Sequence, residues 1–312
     1  MSGTGRPAGA PGGKPGLRGR LRRFRPRTRP RYKGPSFNRL VPNLMTLLGL
    51  CAGLTAIRVA LDGLWQQSAA LIVVAAVIDG LDGRLARLLK ATSRFGAEFD
   101  SLSDFLCFGV APALILYMWA LHDMHGLGFA PCLMFAVCSA LRLARFNASI
   151  VEGPLALGAE PPKPAYSQNF FTGVPAPAGA GLVLLPLFAS LALTEWDLPG
   201  LAQAVRHKTV VTVFLVAVGA LMVSTLPTWS FKNFKVRADY VLPLLLGAAA
   251  YTALLVSEPW AAIAAAALVY AGIIPFSLRS YARLKREAEA LLEPTPAQAP
   301  VLVSDRGEAG KA

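Results

Sequence analysis

The chain alternates long apolar runs with short polar breaks, and the runs have the length of membrane-crossing helices. Eight stand out, at approximately 43–61, 66–87, 99–121, 128–147, 175–194, 208–226, 240–256 and 259–278. A helix rises about 1.5 Å per residue, so about 20 apolar residues cross a hydrocarbon core of about 30 Å. The pattern predicts an all-α, polytopic transmembrane helix bundle of about eight spans. The fifth run opens on Pro175 and Pro177, so its start is expected to be irregular.

Outside the runs the chain changes character. Residues 1–36 are rich in Pro, Gly and Arg and are expected to form a disordered basic tail. Residues 37–282 are expected to form one transmembrane domain. Residues 283–312 read as a charged helix from Arg283 to Leu292 and then a disordered Pro/Ala-rich tail. Hydrophobic residues make up 54% of the chain and charged residues 16%. Soluble domains carry about 25% charged residues, so this composition points to lipid as solvent. The net charge of +13 is concentrated: residues 1–40 hold 12 Lys or Arg and no acidic residue. Such an arm fits attraction to anionic membrane lipid, or a solvated tail with no specific partner. No nucleic-acid-binding fold accompanies it, so nucleic acid is not an expected partner.

Loop charges set the expected orientation. Arg84, Arg87, Lys90 and Arg94 lie between runs two and three, Arg142, Arg145 and Lys163 between four and five, and Lys232, Lys235 and Arg237 between six and seven. The alternate loops hold His122 and His125, Glu195 and Asp197, and Glu258, with only Arg206 and Lys208 as basic residues. The positive-inside rule therefore places both termini and the basic loops in the cytoplasm. Trp65, Trp196 and Trp260 fall near run ends and read as interface anchors. Cys51, Cys107, Cys132 and Cys138 form no CxxC pair and read as small apolar core residues.

Candidate chemistry is concentrated in residues 77–105. Asp79 and Asp82 are three residues apart, and Asp100 and Asp104 four, so each pair shares one helix face. A helix hairpin with its turn between Arg87 and Gly96 brings the four carboxylates together at its cytoplasmic ends. Four carboxylates near a membrane need neutralising. Without His or Cys among them, they suit hard divalent cations, Mg²⁺ or Mn²⁺, which favour displacement at phosphorus. Gly83, Ala86 and Gly96 leave backbone open to a base or pyrophosphate, and Arg87 can pair with a phosphate oxygen.

The series Asp79-x-x-Asp82-Gly83-x-x-Ala86-Arg87, then Gly96-x-x-x-Asp100-x-x-x-Asp104, resembles the signature of the CDP-alcohol phosphatidyltransferase family at every fixed position. The resemblance implies that Asp79, Asp82 and Asp100 bind two divalent ions. It implies that Asp104 acts as general base and also touches metal. It also implies that Gly83, Ala86, Arg87 and Gly96, with Asn43 and Thr46 of the widely shared Pro42-Asn43-x-x-Thr46 stretch, hold the CDP-lipid. A homodimer is implied by resemblance alone.

Further stretches resemble the serine-accepting branch of that family: Arg142-Leu143-Ala144-Arg145-Phe146-Asn147, Phe171-Thr172-Gly173-Val174-Pro175-Ala176-Pro177, and Leu226-Pro227-Thr228-Trp229-Ser230-Phe231-Lys232. The expected activity is transfer of the phosphatidyl group of CDP-diacylglycerol to L-serine, with release of CMP. Serine carries a carboxylate, which Arg142 or Arg145 can meet, and Asn147 can join that polar pocket. These arginines equally suit anchoring of a helix end among lipid headgroups. Glycerol 3-phosphate, inositol phosphate or choline are rival acceptors. A cation transporter is the rival of another class, but it calls for acids at mid-membrane and often an internal repeat.

Overall fold

A computed structural model describes residues 37–151, 170–224, 226–229 and 240–292. The predicted basic tail, the end of the C-terminal tail, and Lys163, Lys232, Lys235 and Arg237 lie outside the described residues.

The chain folds as helices α1 (Phe37–Leu61), α2 (Trp65–Leu88), α3 (Arg94–Met124) and α4 (His125–Val151). After the short strand β1 (Phe170–Thr172) come α5 (Ala176–Val183), α6 (Leu185–Glu195), α7 (Pro199–Val205) and α8 (Lys208–Val223). Strand β2 (Pro227–Trp229), α9 (Val241–Ser257) and α10 (Pro259–Leu292) complete it. This is an all-α membrane protein, as expected, with one small addition. Strands β1 and β2 pair antiparallel, with Phe171 opposite Thr228. Gly173 closes that ribbon with φ +77°, and its N–H donates to the Leu226 carbonyl at 2.9 Å. A Cβ there would lie 2.8 Å from the Met222 carbonyl oxygen, so only glycine fits.

All eight apolar runs are helical, but they do not make eight equal spans. Among the described residues, four helices are long and apolar enough to cross a membrane, or up to six if the bent pairs α5–α6 and α7–α8 each count as one. The pairs bend by 45° and 46°. Pro186 and Pro199 sit at the starts of the helices that follow these bends or turns, where their missing N–H costs nothing. Helix α2 falls short because polar residues occupy both its ends, Gln66 and Gln67 at one and the aspartates at the other. Helix α9 has 17 residues, about 25 Å of rise, against a core of about 30 Å. Helix α10 runs unbroken from Pro259 to Leu292, so the segment from Arg283 continues the last span.

Helix α3 is the centre of the bundle. Its most apolar stretch is 56% buried, against 28%, 33% and 24% for α1, α4 and α10. Phe108, Ile115 and Leu116 of α3 are fully buried, with Phe135, Leu187, Phe188 and Leu215 around them. Gly53 lets α1 press against α3, because a Cβ there would sit 2.5 Å from Cys107 Sγ. Two π turns, Phe105–Val110 and Tyr117–Leu121, interrupt α3. Pro112 explains the first: it has no N–H for the Phe108 carbonyl, so the hydrogen-bond ladder must change register nearby. That change of register begins one residue after Asp104. Two expectations fail here. Trp260 is not an interface anchor but is buried and stacked on Phe188 at 6.3 Å. Cys51 is exposed on α1, whereas Cys107 and Cys132 are buried.

Candidate active site

The site is built where the end of α2, the start of α3 and the first turns of α1 meet. Helix α2 ends at Leu88, and Lys90 turns the chain in the left-handed region at φ 50°. Ser93 then caps α3: its backbone is extended, and its Oγ accepts the Gly96 N–H at 3.0 Å. This hairpin sets the two aspartate pairs facing each other. Carboxylate oxygens of Asp79, Asp82 and Asp100 lie within 4.8 Å of one another. Asp104 stands outside that triad, and its carboxyl reaches that of Asp79.

Helix α1 supplies the third wall. Thr46 Oγ1 donates to Asp82 Oδ2 at 2.8 Å, with the Pro42 carbonyl also near at 3.2 Å. Asp82 is only 4% exposed, so this bond fixes the most enclosed carboxylate of the four. Asn43 lies against Gly96: a Cβ on Gly96 would be 2.9 Å from Asn43 Oδ1 and 3.1 Å from Ser93 Oγ. The bare backbone of Gly96 thus leaves room for the Asn43 amide beside it.

Every residue assigned to the CDP-lipid from the sequence lines one cavity of about 290 Å³: Asn43, Thr46, Gly83, Ala86, Arg87 and Gly96. Asp82 and Asp100 line it too. Its size suits a nucleotide-sized ligand. Arg87 is anchored on its own helix by a bond from Nε to the Gly83 carbonyl at 3.0 Å, which leaves the rest of the guanidinium facing the cavity. Ser93, Ala91 and Thr92 also line this space and were not picked out from the sequence. Ser93 was legible as a helix N-cap.

The three candidate acceptor residues on α4 have separate surroundings. Arg142 points inward, within electrostatic reach of Asp104 and Tyr270, and its buried Nε bonds to no group among the described residues. Arg145 is exposed, and its Nη1 donates to the Val223 carbonyl at 2.8 Å, so it caps the end of α8. Asn147 exchanges hydrogen bonds with Ser101, the neighbour of Asp100, at 3.1 and 3.3 Å. Asn147 and Ser101 thus tie the end of α4 to the aspartate-bearing turn of α3.

An all-oxygen triad beside a cavity lined by an arginine fits a hard divalent cation. The family model for CDP-alcohol phosphatidyltransferase matches residues 39–215, and a second, CDP-alcohol phosphatidyltransferase 2, matches residues 239–275. The chain belongs to the CDP-alcohol phosphatidyltransferase family, whose members use a divalent metal. Among its relatives are proteins named CDP-diacylglycerol–serine O-phosphatidyltransferase. That of Mycobacterium bovis is 39% identical over 251 residues, covering 80% of this chain and 82% of the relative. That of Mycobacterium leprae is 37% identical over 254 residues, covering 81% and 79%. That of Helicobacter pylori is 37% identical over 196 residues, covering 63% and 74%.

Proposed function

We propose that the chain transfers the phosphatidyl group of CDP-diacylglycerol to the hydroxyl of L-serine, forming phosphatidylserine and releasing CMP. The observation that carries this is the meeting of the aspartate triad with the cavity formed by the rest of the signature. The choice of serine rests on the names of the relatives and on the stretches around Arg142, Gly173 and Pro227.

In this reading Asp79, Asp82 and Asp100 hold two divalent ions, Mg²⁺ or Mn²⁺, with Asp104 at their edge. The ions supply charge neutralisation for the donor pyrophosphate and for the departing CMP. Thr46 holds Asp82 in place. Arg87 takes a phosphate oxygen, while Gly83, Ala86, Gly96 and Asn43 receive the cytidine end. Asp104 accepts the proton of the serine hydroxyl as its oxygen bonds to the lipid-proximal phosphorus. The bond from that phosphorus to the bridging oxygen breaks, and CMP leaves. Arg142 meets the serine carboxylate, because its buried Nε needs an acceptor and it faces Asp104. Asn147 steadies that side of the pocket through Ser101. Arg145 acts at one remove, by holding α8 to α4.

The catalytic unit is residues 37–282, with the site and both termini on the cytoplasmic side, and it works as a homodimer. Incubation of membranes with CDP-diacylglycerol and labelled serine, glycerol 3-phosphate, inositol or choline tests the acceptor. Label should enter lipid from serine, cease with EDTA, and return with Mg²⁺ or Mn²⁺. Label from another acceptor alone, or full activity after thorough chelation, would overturn the reading.

A further inference from the structure

A second cavity among the described residues lies far from the aspartates. It measures about 650 Å³ and opens between the end of α3 and the joint of α7 with α8. Asp104 and His122 are separated by about 27 Å of rise along α3. The cavity therefore stands at the opposite end of the bundle, where headgroups of the other leaflet would lie. Nothing in the transfer reaction uses it.

Its wall presents two cations, Arg206 and Lys208, against one acid, Asp123. Arg206 is held rigidly. Its Nε and Nη2 both donate to the Trp119 carbonyl, at 3.0 and 2.6 Å, and its guanidinium lies 5.6 Å from the centre of the Trp119 ring. Trp119 belongs to the second π turn of α3, where the regular helix ladder is broken and carbonyls accept from elsewhere. Arg206 Nη1 bonds to no protein group among the described residues. Lys208 is paired only loosely, 3.8 Å from Asp123, with both side chains open to solvent. His207 lines the cavity beside them, and its Nδ1 accepts the Thr209 N–H at 3.4 Å. Lys208 is also the first residue of α8, a helix of 16 residues whose N-terminus favours an anion at the same place.

The Nη1 of Arg206 and the ammonium of Lys208 beside it suit the oxygens of a phosphate. A free phosphate ion would leave most of about 650 Å³ unfilled, and Met118, Pro199 and Ala202 give part of the wall an apolar surface. A headgroup with its glycerol fills both parts. We propose that this cavity binds the phosphate of an anionic phospholipid from the leaflet opposite the aspartates, through Arg206 and Lys208.

The test is lipid retention by the full-length protein in mild detergent, read by native mass spectrometry. Phosphatidylglycerol, phosphatidylcholine and inorganic phosphate are offered separately and in competition. Phosphatidylglycerol should be retained over phosphatidylcholine, and Arg206→Gln with Lys208→Gln should weaken retention at least about tenfold. Lys208→Gln alone leaves the Trp119 bonds intact and should weaken it at least about threefold, which keeps the test decisive if the double variant fails to fold. Asp79→Asn should retain phosphatidylglycerol like the wild type, because the donor cavity is a different site. Equal retention by wild type and Lys208→Gln, equal retention of the two lipids, or loss of retention in Asp79→Asn would overturn the proposal. Displacement by inorganic phosphate at concentrations equal to the lipid would likewise show a free-anion site instead.

Discussion

Gly96→Ala is the most informative single change, because the structure states what the added carbon meets. The new Cβ would lie 2.9 Å from Asn43 Oδ1 and 3.1 Å from Ser93 Oγ. Ordinary contacts begin near 3.4 Å, so Asn43 must retreat by about half an ångström and Ser93 by somewhat less. Two effects on stability oppose each other. Strain on the Ser93 cap costs up to about 1 kcal/mol. Replacing glycine by alanine in a helix returns up to about 1 kcal/mol, and less in a first turn. Stability should thus move by no more than about 1 kcal/mol, a few degrees in melting temperature. Donor binding should suffer more, because Asn43 lines the cavity from the other side. Loss of one well-placed amide contact is worth about tenfold in affinity. The assay is metal-dependent binding of CDP-diacylglycerol beside thermal unfolding in detergent. Ser93→Ala combined with Gly96→Ala separates the two contacts, since it relieves the clash with Ser93 but not that with Asn43. Unchanged donor affinity in Gly96→Ala, or full recovery in the double variant, would refute the role given to Asn43.

Thr46→Val removes the 2.8 Å donor to Asp82 without changing shape, and should raise the Mg²⁺ needed for half-maximal activity by about 10- to 100-fold while leaving the rate at saturation largely intact. Asp104→Asn should bind CDP-lipid nearly normally but slow single-turnover transfer by about 10²- to 10⁴-fold, whereas Asp79→Asn should lose both. Equal loss of binding in the two would recast Asp104 as a metal ligand. Arg142→Gln should raise the serine concentration for half-maximal rate by at least about tenfold, and Arg145→Gln should lower thermal stability by up to about 1 kcal/mol with little effect on serine. Cysteines placed in the Arg84–Arg94 turn should resist impermeant thiol reagents in intact cells, and labelling as ready as near His122 would invert the orientation.

The aspartate cluster was legible because its grammar is local. Spacings of three and four set each pair on one helix face, and the turn between Arg87 and Gly96 left the hairpin little choice but to bring the pairs together. Helix existence was legible for the same reason, while span number was not. Periodicity does not reveal that α5–α6 and α7–α8 bend at their joints. Contacts between distant segments stayed hidden. Nothing in residues 170–172 announces a partner at 227–229, yet the two stretches pair as a ribbon. Trp260 was misjudged because its place near a run end says nothing of Phe188, which covers it.

The two arginines of α4 show the limit most clearly. Three residues apart, Arg142 and Arg145 project about 60° from each other around the helix, so sequence gives them nearly one direction and one depth. Their surroundings divide them. The last turn of α8 leaves carbonyls without a helical partner, and Arg145 bonds to one of them, that of Val223. Arg142 has no such outlet: α3 and α10 enclose it, and Asp104 and Tyr270 are what it faces. A buried guanidinium nitrogen left without an acceptor costs free energy unless something fills the gap. That cost falls beside Asp104, where the proposed function puts the acceptor's carboxylate. On the proposed reading, the positive charge that would draw the acceptor's carboxylate in also offsets Asp104, the carboxyl it faces, so Arg142 would serve both that carboxyl and the selection of the acceptor.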